Sequence, residues 1–225
     1  MTIIATLFAG LPGCRRPPRD LRDLPIVACP VADARRDFLA VVVSGDGGFN
    51  ITERGIARSL NRAGIPVVGL NSLRYFWKRR TPEEAARDVG RMIAYFEAAW
   101  HTGRVVLVGY SRGADVLPFV VNRLPDELRA RVAVVALLNP APLTDFKIHL
   151  RDLYSARPHP TSRPVLPEVE RISGPALICA HGETEHGSLC PCIPEGRVEQ
   201  VIQKGGHLVL WNYGPVVAAI LRAIS

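Results

Sequence analysis

The chain has 225 residues, 48% of them apolar and 22% charged, with 19 glycines and 19 prolines. That length and balance suit one globular domain with a sizeable core and argue against disorder. The net charge of +7 points to acidic partners such as anionic lipid or nucleic acid; the arginines are spread rather than massed, and neither zinc-finger spacing nor an RNA-binding aromatic motif favours nucleic acid.

The first residues read as a signal-like segment. Ile3 to Leu11 is apolar, Pro12-Gly13-Cys14 follows, and Arg15-Arg16-Pro17-Pro18 opens a polar linker. Residues 1–23 therefore read as a truncated secretory signal and linker, with Cys14 a candidate for lipid acylation. No positively charged region precedes the apolar stretch, which a start placed too far downstream would explain. The stretch is shorter than the roughly 20 apolar residues of a spanning helix. Export to the periplasm is the expectation, and residues 24–225 read as one domain.

Phe38 to Val43 is a buried strand that ends in Ser44-Gly45-Asp46-Gly47-Gly48. A helix from Thr52 to Ala63 is stopped by Gly64, and Pro66 to Leu70 is the next strand. The loop from Asn71 to Lys78 leads to Thr81-Pro82-Glu83-Glu84, a helix start with proline just inside and carboxylates in the first turn. That helix runs to about Trp100.

Val105 to Val108 then feeds into Gly109-Tyr110-Ser111-Arg112-Gly113 and a stretch that permits a helix to about Leu124. A strand turning sharply into a helix holds a nucleophile at strained backbone angles, and only small flanking residues let the two elements approach. This predicts Ser111 as a nucleophile, with the Arg112 N–H at the helix start able to stabilise an oxyanion. A chance glycine-rich turn is the bland alternative. The second oxyanion donor is expected from the Asp46 or Gly47 N–H.

After the strand Val132 to Leu138, Asn139 to Ile172 reads as an irregular segment rich in Pro, Arg and His, a candidate lid. Pro175 to Ala180 is a strand followed by His181-Gly182-Glu183-Thr184-Glu185. The acid of a Ser-acid-His order belongs there, with Glu185 first and Glu183 second. Arg197 to Gln203 alternates as a half-buried strand, and Lys204-Gly205-Gly206-His207 precedes a last helix from Pro215. His207 is the expected general base. His181 is its one serious rival, but it would occupy the acid's territory and leave His207 unexplained.

Strands alternating with helices predict a mostly parallel sheet covered on both faces, with the site beyond the carboxyl ends of the strands. Asp46 and Asp115, the latter one helical turn past Ser111, would make the pocket attractive to a cation, although Asp115 alternatively braces the elbow. Five cysteines leave four if Cys14 is acylated, an even number suited to an oxidising compartment, with no pairing fixed. Cys190-x-Cys192 with His186 is a weak zinc candidate.

Three motifs in order, Ser44-Gly-Asp-Gly-Gly48, Ser72-Leu-Arg-Tyr-Phe-Trp77 with Thr81-Pro82, and Gly109-Tyr-Ser-Arg-Gly-Ala-Asp-Val-Leu-Pro118, resemble the family of the bacterial virulence protein VirJ and the AcvB C-terminal domain. The resemblance covers about Leu24 to the C-terminus. It implies a compact α/β-hydrolase fold without a large cap domain, export to the periplasm, and hydrolysis of aminoacylated phosphatidylglycerol, notably the lysyl form. It also implies Ser111 as nucleophile, Glu185 as acid and His207 as base. The chain departs from the family pattern with Phe49 in place of a usual tryptophan and Arg112 in place of a frequent phenylalanine. Such a substrate carries two ammonium groups and a phosphate. Asp46 and Asp115 would then meet an ammonium, Arg74 or Lys78 the phosphate, and Tyr75, Phe76 and Trp77 the lipid interface, with packing the alternative for Phe76. No metal or organic cofactor is required, and no nucleic acid partner is expected. A general carboxylesterase, or a non-catalytic periplasmic module binding secretion-system proteins, are the competing readings.

Overall fold

A computed structural model describes residues 14–15, 17–31, 34, 37–149, 159–207 and 212–225. The signal-like stretch Ile3 to Leu11 and residues 150–158 of the Pro-, Arg- and His-rich segment lie outside the described residues.

β2, β3, β4, β5 and β8 form along apolar runs of the sequence, whereas β9 is mostly polar. β1 (Ile26–Cys29), β2 (Phe38–Val43), β3 (Val67–Leu70), β4 (Arg104–Tyr110), β5 (Val132–Leu138), β8 (Ala176–Gly182) and β9 (Glu199–Gln203) make one sheet in the order β1-β3-β2-β4-β5-β8-β9. β6 (Leu143–Thr144) and β7 (Arg163–Pro164) pair apart from it. β1 runs antiparallel to β3 and every other pairing in the large sheet is parallel. All six residues of β2 are buried, as a central parallel strand covered on both faces requires.

Two apolar layers flank the sheet. α1 (Ile51–Arg62) and α7 (Gly214–Ala223) cover one face with Ile56, Leu60, Val216 and Ile220. α3 (Pro82–Trp100) and α4 (Arg112–Val121) cover the other with Val89, Ile93, Leu117 and Val120, and Val169 of α6 (Leu166–Arg171) joins them. Short helices at Ser72–Tyr75 (α2) and Asp126–Arg129 (α5) complete the order. α1 and α3 each begin with a capping box, Asn50 with Glu53 and Thr81 with Glu84. Each box satisfies first-turn donors that have no acceptor within their own helix. Among the described residues no helix is long and apolar enough to cross a membrane.

The structure departs from four expectations. Cys14 is disulfide-bonded to Cys29, so its sulfur has no thiol to carry an acyl anchor. Residues after it are not a free linker: Arg15 pairs with Ala28 through two backbone hydrogen bonds, and Leu21 is buried in the core. Cys190 is bonded to Cys179, which removes it from a zinc site with Cys192 and His186, and no metal-ligand cluster is found among the described residues. The stretch from Asn139 to Ile172, read as irregular, contains β6, β7 and α6; these elements are too short to impose a period on the sequence.

Candidate active site

The register of the parallel strands brings their carboxyl ends level. Val43 lies opposite Gly109, Tyr110 opposite Leu138, Leu138 opposite Ala180, and Gly182 opposite Gln203. The loops after β2, β4, β5, β8 and β9 therefore meet at one edge, where ligands bind in open α/β sheets.

Ser111 joins β4 to α4 with φ 52° and ψ −122°, a conformation that L-residues hold only when their surroundings impose it. The imposing contacts are backbone ones. A Cβ on Gly109 would lie 2.4 Å from the Gly113 carbonyl oxygen, and one on Gly113 would lie 2.0 Å from that of Val43. Glycine at both positions lets the strand, the helix and β2 close around the serine. The Ser111 N–H donates to the Leu138 carbonyl (2.8 Å) and the Asp115 N–H to the Ser111 carbonyl (3.0 Å), fixing the turn at both ends.

Ser111 Oγ lies 3.1 Å from His207 Nε2, and His207 Nδ1 lies 3.4 Å from Glu185 Oε2. The structure brings Glu185, not Glu183, to the histidine. The Glu183 N–H donates to the Gln203 carbonyl and the Thr184 N–H to that of Gly205, which ties the acid turn to the loop carrying His207. Gly182 permits that approach, since a Cβ there would come within 2.3 Å of the Gly205 carbonyl oxygen. The His207 side chain is 45% exposed and that of Glu185 17%, so the histidine faces solvent with its acid behind it. The rival His181 is buried with Nδ1 on the Gly182 carbonyl (3.0 Å).

Two residues that sequence reasoning missed hold the histidine loop. The Tyr110 hydroxyl and Asn139 Nδ2 both donate to the His207 carbonyl, at 3.1 and 2.6 Å. Burial pushes the Tyr110 phenol up to about 12, so it remains a donor at ordinary pH. Nothing in a sequence marks a contact spanning 97 positions. Glu53 was missed too, although its spacing from Asn50 matches a capping box. Its Oε2 accepts from the Asn50 N–H and its Oε1 from the Gly45 N–H, each at 3.0 Å. Burial raises the Glu53 carboxyl, against the pull of those two amides.

The residues expected to bind substrate divide. Asp46 is not an open carboxylate: Arg112 pairs with it through Nε to Oδ1 and through Nη2 to Oδ2 at 3.0 Å. Asp115 is buried and accepts from the Ala141 N–H at 2.6 Å. Burial drives its carboxyl well above the usual range. It braces the turn after β5, while the Asp46 side chain, paired with Arg112, is 33% exposed. Tyr75 is 1% exposed and donates through its hydroxyl to Asp88 Oδ2 at 2.6 Å, so it belongs to the core, as does Phe76. Packing, the alternative for Phe76, is what the structure shows. Trp77 is 55% exposed, and Arg74 and Lys78 are exposed beside it. Their loop adjoins the site because the Ser72 N–H and hydroxyl bond to Ser44 Oγ (2.8 Å) and its carbonyl (2.6 Å).

Solved structures share this architecture. Est1E from Butyrivibrio proteoclasticus superposes with a TM-score of 0.60 at 12% identity, over 89% of this chain and 95% of that one. An esterase domain from a Rhodothermus marinus protein gives 0.60 at 16% identity, over 88% and 92%. A lipase-esterase related protein from Clostridium acetobutylicum gives 0.58 at 16% identity, over 90% and 99%. At such identities the likeness establishes an α/β-hydrolase fold. No curated protein matches the chain. The family described as bacterial virulence protein (VirJ) matches residues 37–225, and the chain belongs to that family.

Proposed function

We propose that the chain is a serine ester hydrolase that cleaves the aminoacyl ester of aminoacylated phosphatidylglycerol. The observation that carries the reading is the Ser111, His207 and Glu185 array on a strained elbow, at 3.1 and 3.4 Å. His207 Nε2 takes the Ser111 hydroxyl proton as Oγ attacks the acyl carbonyl, and Glu185 holds the imidazole through Nδ1–H. The Arg112 N–H and the Asp46 or Gly47 N–H receive the oxyanion. Collapse breaks the ester bond, and the departing glycerol hydroxyl takes the proton from His207. Water, deprotonated by His207, then attacks the acyl-serine, releasing the amino acid and returning the proton to Ser111.

The lipid part of the reading rests on the family and on the exposed Arg74, Trp77 and Lys78. An indole is favoured at a membrane interface, and the two cations suit a phosphate. Glu183, exposed in the acid turn, and the partly exposed Asp46 are the carboxylates we assign to an ammonium. The net charge of +7 holds the protein near anionic lipid. Two disulfides suit the periplasm, an oxidising compartment.

The test is release of free lysine from lysyl-phosphatidylglycerol vesicles by the purified protein and by Ser111→Ala, beside p-nitrophenyl acetate. Lysine release abolished in the variant is the expected result. Serine-dependent turnover of the simple ester alone would leave a general carboxylesterase, and no turnover of either would leave a binding module, such as one for secretion-system proteins.

A further inference from the structure

Two elements must agree in position if an oxyanion is to be held beside Ser111. One is the turn Gly45 to Gly48 after β2, the other the first residue of α4. Their backbones touch where glycine allows it: Gly113 packs on the Val43 carbonyl, and a Cβ on Gly45 would stand 3.2 Å from Ser111 Cβ. Such contacts set how close the elements come, but leave the turn free to tilt.

The turn is held at three points. The Gly45 N–H is committed to buried Glu53 Oε1 at 3.0 Å. The Gly48 N–H returns to the Gly45 carbonyl at 3.1 Å, which leaves Asp46 and Gly47 as the central residues of the turn. The third hold is the side chain of Asp46, gripped through both oxygens by Arg112. Arg112 is itself anchored, with Nη1 donating to the Asp145 carbonyl at 2.5 Å and a side chain only 10% exposed. A planar guanidinium meeting a carboxylate in two bonds fixes orientation as well as distance.

We infer that the Arg112–Asp46 ion pair is a positioning device, which sets the amides of the β2 turn against the amide at the start of α4 so that both point at one oxyanion. The residue after the nucleophile thus acts twice, its amide toward the reacting oxygen and its guanidinium toward the turn that supplies the second donor. Both are positioning residues through their side chains. The inference rests on the hydrolase reading above.

The experiment uses the full chain and p-nitrophenyl acetate, a neutral ester with no group for either charge to bind. Asp46→Asn and Arg112→Lys each remove the two-bond grip, the second while keeping the charge and most of the packing. Each is expected to lower kcat about 10-fold or more, with KM within about twofold, since small displacements of catalytic donors cost rate rather than ground-state binding. The affinity of a boronic acid, which forms a tetrahedral adduct on serine, should fall in step with kcat. The double variant should be no slower than the worse single one, because the pair acts as a unit. The midpoint of the pH–rate profile should stand still. Thermal melts of both variants separate a folding loss from a rate loss, and Arg112→Lys carries the test if Asp46→Asn fails to fold. The inference is overturned if kcat stays within twofold of wild type in both, if KM rises while kcat stands, or if the pH midpoint moves with the rate. Absence of Ser111-dependent turnover in the wild-type chain would overturn the hydrolase reading and this inference together, a result distinct from the others.

Discussion

The Tyr110 hydroxyl donates to the backbone carbonyl of His207 at 3.1 Å, so the residue before Ser111 also holds the loop that delivers the histidine to it. Asn139, at φ 51°, donates to the same carbonyl at 2.6 Å. One bond is made by the last residue of β4 and the other by the first residue after β5, and both reach the loop that follows β9. Tyr110→Phe and Asn139→Ala are each expected to reduce kcat about fivefold, the factor that goes with one lost hydrogen bond of about 1 kcal/mol. The double variant, which removes both of these side-chain donors, should fall by more than either. Steady-state kinetics on one ester, with melting temperatures for each variant, check this.

Glu185 and Glu183 sit two residues apart, and only Glu185 reaches His207 Nδ1. Glu185→Gln should reduce kcat by about 10²-fold or more, since the carboxylate both orients the imidazole and stabilises its protonated form. Glu183→Gln should leave turnover of a neutral ester within about twofold. Equal losses in the two variants would assign the acid to the turn as a whole rather than to Glu185.

Gly113 has no room for a methyl group because the obstacle is the Val43 backbone, at 2.0 Å from the Cβ position, and backbone in a central strand cannot step aside. Gly113→Ala should cost about 3 kcal/mol of unfolding free energy or more. Urea denaturation of wild type and variant measures it, and a loss below about 1 kcal/mol would mean that the elbow is looser than its geometry.

Asp115 links stability to pH. Burial raises its folded carboxyl well above 3.8, so above the ordinary carboxylate range the folded chain holds a proton that the unfolded chain has lost. Stability then falls as pH rises from that range toward the folded value. Asp115→Asn keeps an oxygen to accept from the Ala141 N–H and removes the titration. Its unfolding free energy should decline less steeply with pH than that of wild type above about pH 4. Parallel slopes would place the pH dependence in another group, with Glu53, also raised by burial, the first to examine.

Much of this arrangement is legible in the sequence where the signal is local. Phe38 to Val43 and Val132 to Leu138 are apolar runs long enough to declare buried strands; Ser111 and Glu185 follow similar apolar strands, and His207 follows the alternating strand β9 through a glycine-bearing turn. β1 is illegible because a four-residue antiparallel edge strand carries little pattern of its own. Asp46 and Arg112 lie 66 positions apart, so the sequence displays two charges and conceals that they neutralise each other. Tyr75 looks like its exposed neighbour Trp77 until the buried Asp88 is found beneath its hydroxyl. In each case the missing information is a long-range partner, which composition and periodicity do not carry.

The most direct measurement is covalent labelling of the native protein with a fluorophosphonate, followed by peptide mass spectrometry. A single adduct on Ser111 is expected, formed in wild type, absent in Ser111→Ala and strongly slowed in His207→Ala. A folded wild-type protein that takes no label, or takes it on another residue, would contradict the assignment of Ser111 as an activated nucleophile.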